Sequence, residues 1–183
     1  SYEVVSPGTA WLTTMMMQKV MEPGGTAAGV KQMGFDGLAA GKTGTTDDYR
    51  DAWFVGFNPR LTCGVWVGLD DPERIIHRGY GSRLALPVWA EVMTAGTRLG
   101  YLPEAAWKDP GPMKRVQICA ASGKLASPGC QALSSTLDLP SSHVPPTLCE
   151  LHDRSPAAAG PAEAGRVERQ APGFFERLGR LFR

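Results

Sequence analysis

The sequence has little net charge and no long apolar run. Its 19 Lys and Arg residues nearly balance 18 Asp and Glu residues, which leaves a formal net charge of +1. Recognition of nucleic acid as the main task needs a clustered excess of basic residues, so this balance argues against it. No apolar stretch reaches the roughly 18 residues that a membrane-spanning helix requires.

The sequence also lacks an N-terminal signal segment, and its first residue is not methionine. Its 183 residues, 43% of them hydrophobic, suit one globular unit with appendages. Because the sequence does not begin with methionine, we expect the chain to be a portion of a longer protein.

Cysteine is sparse, with four residues at positions 63, 119, 130 and 149. Cys63 lies in an apolar run and is expected to be a small buried hydrophobe. The three others and His152 suggest a zinc site, because Cys149-x-x-His152 has local ligand spacing. No Cys-x-x-Cys pair occurs, however, so no metal site is predicted. A disulfide between Cys130 and Cys149 is the preferred interpretation, although the sequence leaves the connectivity among the three cysteines open.

A helix and a strand are predicted in the first 46 residues. Ser6 followed by Pro7 is typical of a helix N-cap with proline at the first helical position. Apolar residues recur at helical spacing as far as Met21, and Pro23 ends the pattern. Residues 34–46 are expected to form a strand.

A hairpin and a second helix are predicted next. Apolar runs at residues 52–57 and 61–69 are separated by a turn-forming Asn-Pro-Arg tripeptide, which predicts an antiparallel pair. Residues 84–99 have an apolar face at helical spacing. A helix, three strands and a second helix together indicate an α+β fold over residues 1–102.

The composition changes towards the C-terminus. Residues 103–152 are rich in proline and serine and are predicted to form a small cysteine-containing extension, with a short hairpin between residues 116–121 and 124–126. Residues 153–173 are rich in Ala, Pro and Gly and are expected to be a disordered linker. Residues 174–183 are expected to form either a frayed tail or an amphipathic helix that docks weakly on a membrane surface or a partner.

The most informative segment is Gly41-Lys42-Thr43-Gly44-Thr45-Thr46. An acyl-transfer site needs a cation near the reacting serine, hydroxyl groups for the substrate carboxylate and backbone N–H groups for the oxyanion. A strand bearing Lys42, Thr43 and Thr45 supplies these groups, and Gly44 lets a bound peptide approach the backbone. A nucleotide-binding P-loop is the competing interpretation, but it requires glycine where Asp36 stands and a helix after the motif.

This segment and its surroundings resemble class A penicillin-binding proteins, the bifunctional peptidoglycan synthases. The matching segments are Gly41-Lys42-Thr43-Gly44-Thr45-Thr46, Asp51-Ala52-Trp53-Phe54-Val55-Gly56-Phe57, Gly64-Val65-Trp66-Val67-Gly68, Asp70-Asp71-Pro72 and Gly79-Tyr80-Gly81-Ser82. A weaker pattern, from Ser122-Gly123 through Cys130 and Cys149 to His152, is similar to the C-terminal extension of many members. The resemblance covers about residues 1–152.

The resemblance implies the C-terminal part of a transpeptidase domain with the penicillin-binding-protein and β-lactamase fold, and it implies no cofactor. It places Lys42, Thr43, Gly44 and Thr45 on the site strand, with Lys42 as the catalytic residue of this chain. Thr43 and Thr45 would bind the carboxylate of a peptidoglycan stem peptide or a β-lactam, and the Thr45 N–H would complete the oxyanion hole. It also implies a periplasmic or extracytoplasmic location, with the full-length protein associated with the inner membrane.

The two other parts of this family's active-serine site do not occur ahead of Lys42. The sequence contains neither Ser-x-x-Lys nor Ser-x-Asn there. We therefore expect the chain alone to be inactive and to need the N-terminal part of the transpeptidase domain as its partner. The alternative is a non-catalytic, truncated or regulatory fragment that acts as an interaction module.

Overall fold

The computed structural model describes residues 3–152, which fall into two compact units. The first unit is Ala10–Asp109, and the described part of the second combines residues 3–9 with residues 110–152. The linker and the amphipathic helix predicted at residues 153–173 and 174–183 lie outside the described residues. No helix in the described part of the chain is long and apolar enough to cross a membrane.

The first helix, α1, covers Pro7–Lys19. The Thr9 backbone N–H donates a hydrogen bond to the Ser6 hydroxyl oxygen at 3.2 Å, so the predicted N-cap and the proline at the first helical position are confirmed. The helix ends before Met21, whose N–H instead donates to the Gln18 carbonyl oxygen at 2.9 Å in the turn that follows.

The strand predicted over residues 34–46 is shorter in the structure. Ala28–Met33 forms a 3-10 helix, and Gly34 ends it with a left-handed backbone at φ 91°. Strand β1 therefore covers only Ala40–Thr45. Glycine adopts a positive φ without steric cost, so Gly34 ends a 3-10 helix at the position where the sequence pattern predicts the start of the strand. The buried Phe35 anchors the return to the sheet.

Three antiparallel strands form the sheet of the first unit in the order β1–β2–β3, where β2 covers Asp51–Phe57 and β3 covers Thr62–Gly68. The predicted hairpin of β2 and β3 is confirmed. Its turn is fixed by Asn58, whose Oδ1 accepts hydrogen bonds from the N–H groups of Arg60 and Leu61 at 2.8 and 2.7 Å.

The second helix, α2, covers Gly81–Arg98 and packs against the sheet. Its fully buried Trp89 contacts Phe35 and Phe54 edge-on, with ring centroids 5.1 Å apart in both pairs. The Trp89 Nε1–H donates to the Gly56 carbonyl oxygen at 3.3 Å. This aromatic core therefore fixes α2 on β2, the central strand.

The second unit contains a two-stranded antiparallel sheet formed by β4, Met113–Cys119, and β5, Ser134–Pro140. Strand β5 is not predicted from the sequence. The predicted short hairpin is present only as one antiparallel bridge between Ile118 and Leu125. The main partner of β4 is instead β5, which is more distant along the chain and is joined to it by a bidentate Arg115–Asp138 ion pair at 2.9 Å.

The core of the second unit is formed by Cys119, Cys130 and Cys149, all of them buried. All four cysteines lie among the described residues, and each is free, so the expected Cys130–Cys149 disulfide is not formed. The three sulfur atoms converge on one point together with the Nδ1 atom of His152, instead of joining in a pair. The fourth cysteine, Cys63, is only partly buried.

Candidate functional site

The predicted site strand, β1, lies at an edge of the three-stranded sheet. Strand β2 pairs with one side of β1, and within residues 3–152 no strand pairs with the other side. The Thr46 N–H donates to the Asp51 carbonyl oxygen at 3.1 Å on the β2 side. Because amide directions alternate along a strand, the N–H groups of Thr45 and Thr43 are directed to the open side. This side therefore presents the main-chain groups that an added peptide strand requires.

Lys42 and Gly44 share one face of the sheet. They stand opposite Val55 and Trp53 in the β1–β2 register, and those two side chains are 41% and 44% exposed. The Lys42 Nζ donates to the Thr43 carbonyl oxygen at 2.8 Å, which places the ammonium at the open edge of β1. Partial burial lowers the pKa of Lys42, because the ammonium loses hydration there.

Thr43 and Thr45 lie on the other face of β1, which α2 covers. The Oγ1 atoms of Thr43 and Thr26 are 2.9 Å apart, and the Thr45 Oγ1 accepts a hydrogen bond from the Gly81 N–H at 3.1 Å. The structure thus puts the four predicted site residues on one short strand. Their side chains alternate across β1, and the Lys42 Nζ reaches around the open edge to within 3.5 Å of the Thr43 Oγ1.

A glycine at the start of α2 allows the helix to approach the strands closely. A Cβ atom on Gly81 would collide with the Trp53 carbonyl oxygen and would lie 2.7 Å from the Gly44 carbonyl oxygen. The backbone of Gly81 therefore holds the Thr45 hydroxyl in place. In the sequence, the only signal for this contact is the Gly79-Tyr80-Gly81-Ser82 segment.

Gly81→Ala is expected to destabilise the first unit by about 1–3 kcal/mol, because the added methyl group forces α2 away from the backbone of β1 and β2. Urea unfolding measures this change as a lower midpoint. Gly64→Ala is the matched control, since a Cβ atom there meets only Val55 at an ordinary 3.7 Å. A Gly81→Ala midpoint equal to that of the unmodified chain would contradict the close packing.

Comparison with protein families identifies similar domains. A family model that describes the penicillin-binding protein transpeptidase domain matches residues 2–94, a segment that contains β1, β2 and β3. Penicillin-binding protein 1A of Neisseria lactamica is 43% identical over 91 residues, which are 50% of this chain and 11% of that protein. Penicillin-binding protein 1A of Pseudomonas aeruginosa is 36% identical over 126 residues, which are 69% of this chain and 15% of that protein.

A solved structure is similar as well. The crystal structure of penicillin-binding protein 1A from Haemophilus influenzae superposes with a TM-score of 0.61 at 28% sequence identity, over 80% of this chain and 22% of that chain. This likeness confirms the predicted α+β fold of a penicillin-binding-protein transpeptidase. The chain spans only 11–15% of the length of the two curated relatives.

Proposed function

The chain belongs to the penicillin-binding protein transpeptidase family, and on that premise we propose that it supplies the substrate-binding strand of a D,D-transpeptidase. This enzyme cross-links peptidoglycan peptides through an acyl-serine intermediate, and the serine comes from the N-terminal part of the domain, outside this sequence. The observation that carries the proposal is the open edge of β1. The site accordingly acts outside the cytoplasm, in a full-length protein associated with the inner membrane.

The open edge of β1 binds the backbone of a stem peptide, or the β-lactam that replaces it. Gly44 leaves room for this approach, and the N–H groups of Thr43 and Thr45 are directed towards it. The Thr45 N–H donates to the oxyanion when the serine attacks the carbonyl carbon. The hydroxyls of Thr43 and Thr45 bind the substrate carboxylate in exchange for their present contacts with Thr26 and Gly81.

Lys42 supplies positive charge at the same edge. Its ammonium is already anchored on the Thr43 carbonyl oxygen, so little reorganisation is needed when negative charge develops on the substrate. Partial burial strengthens this interaction, because a less hydrated cation is screened less by water. The lowered pKa also favours proton exchange with a neighbouring serine.

An interaction module without catalysis is the second candidate. It is favoured by the exposed aromatic side chains on one face of the sheet. In that case, the exposed sheet face with Trp53 and Trp66, 44% and 45% exposed, contacts a protein partner.

Labelling with a fluorescent penicillin separates the two candidates. The 183-residue chain alone is expected to remain unlabelled, because acylation needs an activated serine. A chimaera that joins this chain to the N-terminal portion of the Pseudomonas aeruginosa relative is expected to acquire a covalent label. The same chimaera with the nucleophilic serine replaced by alanine is the control. A folded chimaera that stays unlabelled contradicts the transpeptidase proposal, and a label on the chain alone contradicts the need for an external serine.

A further inference from the structure

Three buried thiols and one imidazole converge in the second unit. The Sγ atoms of Cys119, Cys130 and Cys149 and the Nδ1 atom of His152 all lie within 4.8 Å of one another. The His152 Nδ1 is 3.4, 3.5 and 3.3 Å from the three sulfur atoms in that order. We propose that these four residues bind one zinc ion as a closed structural site.

Hydrogen bonding alone does not account for this arrangement. The Nδ1 atom of a neutral imidazole either accepts a hydrogen bond or donates one, and thiols are weak donors and weak acceptors. Three sulfur atoms nevertheless surround the Nδ1 of His152 at nearly equal distances. A cation at the centre of the cluster satisfies all four atoms at once, because each then directs a lone pair at the metal.

The dimensions of the cluster match a tetrahedral zinc shell. Zn–S bonds of about 2.3 Å and a Zn–N bond of about 2.0–2.1 Å place nitrogen about 3.6 Å from each sulfur and neighbouring sulfurs about 3.8 Å apart. The observed nitrogen–sulfur distances of 3.3 to 3.5 Å are shorter than the expected nitrogen–sulfur distance of about 3.6 Å by a few tenths of an ångström at most. Three Cys and one His fill all four positions, which is typical of structural and not of catalytic zinc.

The backbone holds two of the cysteines in place from the same short segment. The Cys119 N–H donates to the Lys124 carbonyl oxygen at 2.9 Å, and the Cys149 N–H donates to the Leu125 carbonyl oxygen at 2.7 Å. Lys124 and Leu125 are adjacent in sequence, so these bonds bring the end of β4 and the segment before His152 together. Main-chain hydrogen bonds therefore fix the backbone positions of Cys119 and Cys149 relative to each other.

The turn that carries Cys130 is held by hydrogen bonds to Ser127 and packs closely against His152. The Cys130 N–H donates to the Ser127 carbonyl oxygen at 2.9 Å, and the Ser127 hydroxyl lies 3.4 Å from the Cys130 sulfur. Gly129 allows the backbone of His152 to approach this turn closely, because a Cβ atom on Gly129 would collide with the His152 carbonyl oxygen. Ser127 thus has the position of an outer partner that orients a metal-bound thiolate.

Zinc binding to this cluster exchanges protons for metal without any redox change. The three thiols release three protons, and their sulfurs and the His152 Nδ1 form four bonds to zinc, with the remaining imidazole proton on Nε2. Because the three cysteines form the core of this unit, the bound ion stabilises its folded state. Coordination also keeps the thiols from pairing in a disulfide when the surroundings are oxidising.

The test uses the full 183-residue chain, purified without chelator in the presence of zinc. We expect about one zinc ion per chain by elemental analysis. Cys149→Ser is expected to lose most of this zinc, whereas Cys63→Ser, which changes the cysteine outside the cluster, is expected to retain it. Exchange of zinc for Co²⁺ in the unmodified chain is expected to produce the absorption band of thiolate-to-cobalt charge transfer and the visible spectrum of tetrahedral cobalt.

Two outcomes overturn the zinc site. One is a reduced chain that contains no zinc and gives no thiolate–cobalt band, and this measurement does not depend on whether Cys149→Ser folds. The other is a native disulfide between two of the three clustered cysteines, detected by mass spectrometry. Equal loss of zinc in Cys63→Ser and Cys149→Ser also contradicts the assignment of the ligands. None of these results depends on penicillin labelling, so they test the metal site independently of the transpeptidase.

Discussion

Replacing Lys42 with alanine is expected to lower the rate of β-lactam acylation about a hundredfold or more in the chimaera that carries a nucleophilic serine. The ammonium lies at the open edge of β1, where it is anchored 2.8 Å from the Thr43 carbonyl oxygen and partly shielded from water. A preorganised charge of this kind stabilises the transition state more than the ground state, so its loss slows the reaction itself.

The acylation rate is measured by quenching the reaction with fluorescent penicillin at set times, at several penicillin concentrations. Lys114→Ala is the matched control, because Lys114 is an exposed lysine on β4 in the second unit. It is expected to leave acylation unchanged. Similar rates for Lys42→Ala and Lys114→Ala would remove Lys42 from the catalytic machinery, and the proposal for the β1 edge would then depend on its main-chain groups alone.

Trp89→Ala is expected to give the largest loss of stability, about 3–5 kcal/mol. Trp89 is fully buried and contacts both Phe35 and Phe54 at 5.1 Å between ring centroids. Its removal leaves a cavity between α2 and the sheet and takes away one hydrogen bond to the Gly56 carbonyl oxygen. Trp89→Phe retains part of the ring volume and is expected to cost less.

Chemical unfolding followed by far-ultraviolet circular dichroism compares these variants. Trp66→Ala is the control of the same residue type, because Trp66 is 45% exposed and donates to the Asp51 carboxylate at 2.8 Å near the surface. We expect a much smaller shift of the midpoint for this variant. An equal shift for Trp66→Ala and Trp89→Ala would mean that the aromatic core between α2 and β2 is not the main stabilising contact.

Features decided by neighbouring residues were predictable from the sequence. The Ser6 cap of α1 and the Asn58 turn between β2 and β3 each depend on hydrogen bonds within three residues, and both predictions are confirmed. The prediction that the first strand begins at residue 34 was wrong, and the reason is also local. Gly34 adopts a left-handed backbone, which the sequence pattern does not reveal.

Features that depend on distant residues were not predictable in the same way. Stretches of 10 and 18 residues separate the three cysteines along the chain. The pairing of β4 with β5 and the main-chain bonds to Lys124 and Leu125 bring them together. The contact of Gly81 with Thr45 joins positions 36 residues apart. The alternation of Lys42 and Thr43 across β1, by contrast, follows from strand geometry alone and is predictable from the sequence.

The open edge of β1 also has a consequence for solubility. An unpaired strand offers its N–H and C=O groups to any other extended chain, so an edge kept open for a substrate is equally open to a second copy of the protein. Two features of β1 discourage such pairing: the strand has only six residues, two of them glycine, and Lys42 is near its centre. The lysine that we assign to acyl transfer therefore also limits edge-to-edge aggregation.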